Sequence, residues 1–236
     1  MKITRRALLA SSAFLAGAAL CAGAGVLPLQ ADDSSKLKLA VIPGLQAAPA
    51  ANWEEWPKAG PVKGARVENF GVVLPGILYR SAQPGEGDFE WLAQQGIKSV
   101  VSLREEYDEA EDVKAAGLQY LYIPVTDFKI PTNDQVRQFL EFVHDSKNWP
   151  VVVHCKGGQG RAAIMSAIAR YSMQGWDMGK ALDEAKLYRP LNFPIYGIQK
   201  RFLNRWKDRF AAGEYHPSKS LPEWAAAAEV KKTASK

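Results

Sequence analysis

Apolar residues gather in short runs separated by polar segments, and between residues 70 and 210 those runs alternate between two periods. Residues 72–79 form a compact apolar run, and Arg80-Ser81-Ala82-Gln83-Pro84-Gly85 after it reads as a loop. Residues 99–103, 120–125 and 151–153 are compact runs rich in β-branched or aromatic residues, as expected for strands buried on both faces. Helical periodicity fills the intervals. Residues 88–95 predict a helix closed by Gly96, and residues 105–116 one ended by Gly117. Residues 132–145 predict an amphipathic helix, with Thr132 and Gln135 at capping-box spacing. Three more helices follow at 162–173, 178–188 and 195–210, the first almost wholly apolar or small and therefore central. Strands alternating with helices predict an α/β fold: one domain with a central, mainly parallel sheet of four to five strands and helices on both faces.

The flanks read differently. Residues 1–31 have the form of an export signal: a basic start with Lys2, Arg5 and Arg6, then an uncharged, Ala- and Gly-rich apolar stretch over 7–29. Thr4-Arg5-Arg6-Ala7-Leu8-Leu9 resembles a twin-arginine signal, which would place the protein in a bacterial periplasm or outside the cell; an ordinary secretory signal is the alternative. Ala22-Gly23-Ala24 offers a cleavage site, Leu29-Gln30-Ala31 a poorer one, and an uncleaved signal is the expected route of membrane contact. Residues 32–66 are polar and rich in Pro and Gly, with Trp53 and Trp56, as in a linker or a strap over the domain. The domain itself is expected over 67–212, and 213–236 as a peripheral tail. A monomer is expected.

Composition adds two constraints. With 47% hydrophobic and 23% charged residues the chain is ordinary globular protein. The formal charge is +5, but without the three basic residues of the signal it is 27 basic against 25 acidic, a net +2. Nucleic-acid binding therefore gains no support from charge. Of two cysteines, Cys21 lies in the signal, so Cys155 stands alone in the mature chain with no internal disulfide partner.

Cys155 ends a buried strand and opens the segment His154-Cys155-Lys156-Gly157-Gly158-Gln159-Gly160-Arg161. A phosphate monoester carries about two negative charges and needs donors converging on one point. A glycine-rich turn can aim successive amides inward, and the helix that follows adds its positive end. Arg161 supplies a planar fork for two oxygens. The same donors would favour a thiolate at Cys155, so anion cradle and nucleophile activation form one device. Lys156, Gly157, Gly158, Gln159 and Gly160 are the candidate substrate-binding residues of this turn. No metal or other cofactor is expected: His144, His154 and His216 lack ligand spacing. His154 is expected to orient the turn by bonding backbone, and His144 to lie on a helix surface.

His154-Cys155, Gly158, Gly160 and Arg161 match the HCxxGxGR signature, and the chain resembles the cysteine-dependent protein tyrosine phosphatase superfamily. The segments Leu78-Tyr79-Arg80-Ser81-Ala82-Gln83-Pro84, Gly96-Ile97-Lys98-Ser99-Val100-Val101-Ser102-Leu103-Arg104 and Tyr122-Ile123-Pro124-Val125-Thr126-Asp127 resemble its compact dual-specificity branch. The resemblance covers about residues 70–210. It implies hydrolysis of phosphate monoesters through a phosphocysteine, on phosphorylated proteins or on lipid or inositol phosphates. It also implies a general acid on a loop about 30 residues before the cysteine. Asp127, 28 residues upstream, fits that position; Asp134 is the competitor, in the first turn of the capped helix. Lys156 resembles the lysine that phosphoinositide phosphatases carry after the cysteine. The chain departs from the family at Ala162, where a Ser or Thr hydroxyl usually supports the departing thiolate. Slow turnover of the phosphocysteine is the expectation, which keeps a phospho-ligand-binding pseudophosphatase as an alternative. A rhodanese-like sulfurtransferase, which also places a cysteine in an anion loop, is the more distant one.

Overall fold

The computed structural model describes residues 57–189 and 197–213. The expected export signal, residues 32–56 of the expected linker or strap with Trp53 and Trp56, and the C-terminal tail from residue 214 on lie outside the described residues. Five short strands form one sheet: β1 (Gly71–Leu74), β2 (Leu78–Ser81), β3 (Ser99–Ser102), β4 (Gln119–Tyr122) and β5 (Val151–His154), in the order β1-β2-β5-β3-β4. Only β1 runs antiparallel to its neighbour. The helices are α1 (Asp88–Gln94), α2 (Ala110–Ala115), α3 (Asn133–His144), α4 (Arg161–Gln174), α5 (Met178–Lys186) and α6 (Gly197–Ala211).

Side-chain alternation along the central strands splits the core in two. Val101, Val151 and Val153 join the cluster built on α3, α4, α5 and α6. Val100 and Val152 face the other way, into a cluster with Phe89 and Leu92 of α1 and Val113 of α2. A strand with both faces buried favours apolar residues at successive positions, as β5 shows in Val151-Val152-Val153. Helix α4 is the central helix, buried over almost its whole length. Its Arg170 forms a buried pair with Glu184 of α5, with Nε 3.0 Å from Oε2. Glu184 also takes the backbone N–H of Ala59 at 3.2 Å. The described part of the N-terminal segment is thereby tied across α4 and α5.

Several expectations are corrected. The apolar run at 72–79 is not one strand but a hairpin, because Pro75 and Gly76 break it; Gly76 sits at φ +73°, and Ile77 N–H closes the turn on the Leu74 carbonyl at 3.0 Å. Arg80 and Ser81, read as loop, are the end of β2. The helix expected at 105–116 shrinks to Ala110–Ala115. Side-chain anchors hold the preceding residues out of helical form: Tyr122 Oη donates to the Glu105 carbonyl, Thr126 Oγ1 to the Glu105 carboxylate, and Glu109 N–H to Tyr120 Oη. Strand β4 is a half-exposed edge, not a strand buried on both faces. His144 is buried rather than superficial, its Nδ1 against the Leu140 carbonyl. The capping box at Thr132 and Gln135 is present as expected.

Candidate active site

From the end of β5 the chain turns through residues 155–160 into α4, whose first residue is Arg161. Ser81 of β2 and Ser102 of β3 both stand level with His154. The turn therefore occupies the carboxyl ends of three parallel strands, where open α/β sheets place their ligands.

Hydrogen bonds fix which way its peptide groups face. The Lys156 carbonyl accepts from Gln83 N–H at 3.1 Å, the Gly157 carbonyl from Asn69 Nδ2 at 2.9 Å, the Gly158 carbonyl from Arg80 Nη2, and the Gln159 carbonyl from Arg189 Nη1 at 3.1 Å. All four donors lie outside the turn. In a planar trans peptide the N–H points opposite to the C=O. Anchoring four successive carbonyls outward thus directs the amides of residues 157–160 toward the interior of the turn. Together with the N-terminal end of α4 they line a concavity of converging donors, a geometry suited to an anion.

Cys155, only 3% exposed, lines a cleft of about 310 Å³ with Asp127, Lys156, Gly157, Gln159, Gly160 and Arg161. Phe128, Arg189 and Gln199 complete it. Three of these residues are cationic and one, Asp127, is anionic. Lys156 is exposed. Arg161 is buried, and its Nη1 donates to the carbonyls of Val125 at 2.9 Å and Leu103 at 3.3 Å. Those bonds commit one nitrogen and leave the Nε–Nη2 edge of the fork for two ligand oxygens. Nε makes no hydrogen bond and stands 3.5 Å from Asp127 Oδ1.

Asp127 is 51% exposed and also accepts its neighbour Phe128 N–H at 3.0 Å. It reaches the cleft past β3. Strand β4 is not beside β5, since β3 lies between them. The chain beyond β4 instead crosses the end of β3, held by Ile123 N–H on the Ser102 carbonyl and Val125 N–H on the Leu103 carbonyl. Asp134 is absent from the cleft lining and is ion-paired with Arg137 on the α3 surface.

Gly158 is the one predicted binding residue that does not line the cleft. It has φ +66°, and a Cβ there would lie 2.7 Å from Ser81 C, Ser81 O and Ala82 N, backbone atoms that cannot yield. Gly157 and Gly160 would meet nothing closer than 3.9 Å, so glycine is sterically required at 158 alone among the three. Gly158→Ala should therefore destabilise the fold by about 2–4 kcal/mol, combining left-handed strain with overpacking, and displace the turn. Denaturant unfolding measures the first effect, and loss of phosphate binding the second.

Behind the turn lie His154, expected as its support, and two buried charged residues for which the sequence suggested no role, Glu109 and Arg80. His154 is fully buried, and its Nε2 is 3.2 Å from Glu109 Oε2, within ion-pair distance though not aligned for a hydrogen bond. Its contact is thus a carboxylate and not the backbone group expected. Glu109 in turn accepts from Ser102 Oγ at 2.9 Å and Gln83 Nε2 at 3.0 Å. Arg80, 1% exposed, stacks on Tyr188 with its guanidinium carbon 3.8 Å from the ring centre. Burial lowers the Arg80 pKa, and the nearby Tyr188, Glu184 and Cys155 oppose that shift. The Tyr188 phenol is pushed up to about 12, chiefly by burial. The usable sequence signals were an arginine at the end of an apolar run and Asn69, a residue type that tolerates the left-handed φ of +52° it adopts.

Residues 51–196 match the family model described as "PTP-NADK: DSP-PTPase phosphatase fused to NAD+ Kinase". The chain is 31% identical over 123 residues to inositol diphosphatase DSP4 of Arabidopsis thaliana, covering 49% of this chain and 61% of that protein. It is 30% identical over 107 residues to the dual specificity protein phosphatase TpbA of Pseudomonas aeruginosa, covering 45% and 49% respectively. The chain thus spans about half to three fifths of the length of these curated relatives. Among solved structures, the core catalytic domain of the PP-IP phosphatase SIW14 from S. cerevisiae, in complex with citrate, superposes with a TM-score of 0.52 at 25% identity, over 62% of this chain and 93% of that one. With most of its described fold inside the matched residues, the chain belongs to this DSP-PTPase family of the cysteine-dependent phosphatases.

Proposed function

We propose that this protein hydrolyses phosphate monoesters through a phosphocysteine intermediate. The observation that carries the reading is the outward anchoring of the carbonyls of residues 156–159, which turns their amides toward the space beside Cys155. In the first step the Cys155 sulfur attacks phosphorus, the bond to the leaving oxygen breaks, and Asp127 gives that oxygen its proton. In the second, Asp127 takes a proton from water as the water oxygen attacks phosphorus, and the P–S bond breaks to restore the thiolate. Arg161 and the amides of residues 157–161 hold the equatorial oxygens through both steps.

The substrates we infer are phosphorylated proteins or inositol and lipid phosphates. The relatives named inositol diphosphatase and dual specificity protein phosphatase support that range, and Lys156 at the cleft supports a polyphosphorylated ligand. A release assay over phosphotyrosine peptides, phosphoinositides and inositol phosphates tests the reading. Asp127→Asn should lower kcat about 10²- to 10⁴-fold on substrates with poor leaving groups, the range for a general acid. It should act far less on an activated aryl phosphate, whose leaving group needs no proton. Equal losses on both would remove Asp127 from the role.

Ala162 favours one variant of this reading. It is fully buried at the second position of α4 and presents no hydroxyl to the departing thiolate. Phosphocysteine breakdown should then limit turnover. Ala162→Ser should raise steady-state kcat several-fold and abolish the pre-steady-state burst expected of the wild type. Phosphoester binding with no turnover in either protein would instead identify a pseudophosphatase. We further propose export through residues 1–31 and action as a monomer, which N-terminal sequencing of secreted protein and sedimentation would check.

A further inference from the structure

Five large hydrophobic side chains stand exposed among the described residues, and three of them sit on the Asp127 loop and the start of α6: Phe128 at 58%, Ile130 at 38% and Ile198 at 43%. Ile130 and Ile198 line a groove of about 350 Å³ with Phe202, Arg201, Arg205 and Arg209. The arginines recur every fourth residue and so form one stripe along α6. No acidic side chain lines the groove, and neither Arg201 nor Arg205 belongs to an ion pair among the described residues. Groove and catalytic cleft are neighbours: Phe128 and Gln199 line the cleft, while Ile198, next to Gln199, lines the groove.

We propose that this face docks the protein on an anionic phospholipid bilayer, with Cys155 at the margin of the contact. Charge complementarity selects the occupant. A row of cations beside exposed apolar side chains matches headgroup phosphates lying over acyl chains. A soluble inositol phosphate would leave the isoleucines in water, and an acidic peptide would satisfy the arginines without covering the apolar row. The contact is peripheral, since no described helix is long and apolar enough to cross a membrane. It adds a membrane contact to the one expected of an uncleaved signal. Its consequence, a substrate phosphate carried by a lipid, rests on the phosphatase reading; the docking itself does not.

The test titrates the full chain and its Arg201→Gln/Arg205→Gln variant with phosphatidylcholine vesicles, with and without phosphatidylglycerol, measuring partitioning without turnover. Both proteins carry the same N-terminal segment, so its contribution cancels in their ratio. Each arginine at an anionic surface contributes about fivefold, the equivalent of ~1 kcal/mol, so the variant should bind phosphatidylglycerol vesicles about 25-fold more weakly. Its melting temperature and its rate on a soluble aryl phosphate should match the wild type, since neither arginine lines the cleft. Added salt should weaken wild-type binding. Wild type and variant partitioning within about twofold of each other would overturn the proposal, on the fivefold-per-arginine scale. So would unchanged vesicle binding together with a raised KM for an acidic phosphotyrosine peptide, which would assign the groove to a peptide. Loss of hydrolysis with vesicle binding intact would count only against the phosphatase reading.

Discussion

Cys155→Ser is expected to lower kcat by about 10⁴- to 10⁶-fold, the scale set by removal of a nucleophile from a covalent mechanism. A serine hydroxyl occupies nearly the same space but is a far poorer nucleophile without an adjacent general base. His154, the nearest imidazole in sequence, faces Glu109 behind the turn rather than the side chain at 155. Binding should survive the change, because the cradle is made of backbone groups and Arg161, all anchored independently of the sulfur. Calorimetric titration with inorganic phosphate should give a Kd equal to or tighter than that of the wild type, with rate and affinity moving apart. A parallel loss of both would mean that the sulfur supports the turn rather than attacks the ligand.

Arg161→Lys should cost about 10²- to 10³-fold in kcat/KM although the charge is kept. The guanidinium does two jobs with different atoms. Nη1 satisfies the carbonyls of Leu103 and Val125, and the opposite edge faces the cleft. An ammonium is a point donor without a fork, so it cannot hold the crossing chain and present two parallel N–H groups. If it turns to the ligand, two backbone carbonyls lose their partner, for about 1–3 kcal/mol of stability. If it stays with the carbonyls, the ligand loses its clamp. Activity on an aryl phosphate and denaturant unfolding, measured on the same sample, distinguish these outcomes. Unchanged activity would remove Arg161 from oxyanion binding.

The chemistry was more legible than the supports that hold it. Cys155, the glycines and Arg161 are contiguous, so their spacing alone describes a strand, a turn and a helix start. The parallel sheet was legible because β3 and β5 are buried on both faces and carry apolar centres, Val100-Val101 and Val151-Val152-Val153. The groups that aim the turn are scattered over 120 residues, and no local pattern links Asn69, Arg80, Gln83 and Arg189. Only the β1–β2 hairpin and the approach of the chain after α5 bring them together. The same hairpin was hidden because Pro75 and Gly76 interrupt an otherwise continuous apolar stretch without changing its hydrophobicity. Glu105–Glu109 defeated a helix expectation that was sound on propensity, because tertiary contacts with Tyr120, Tyr122 and Thr126 outweighed it.

Arg80 shows how closely scaffold and site are joined. Its guanidinium reaches from β2 to the Gly158 carbonyl while its face lies on Tyr188, so one buried cation links the strand, the turn and the segment after α5. The Glu109 carboxylate does the same on the other side, joining β3 through Ser102, the loop after β2 through Gln83, and the end of β5 through His154. Both are buried charged groups with several partners, which suits them to fixing the turn in one geometry.

The whole account depends on sulfur becoming bonded to phosphorus inside this turn, and the slow breakdown proposed for a chain with Ala162 would make that event observable. Rapid acid quench of the wild type during turnover of a phosphorus-labelled aryl phosphate, followed by peptide mass spectrometry, reads it directly. The account predicts a label on the peptide containing Cys155, formed in the first turnover, missing in Cys155→Ser and reduced in Ala162→Ser. Product release in the wild type with no label on that peptide, or with the label on another side chain, would contradict it.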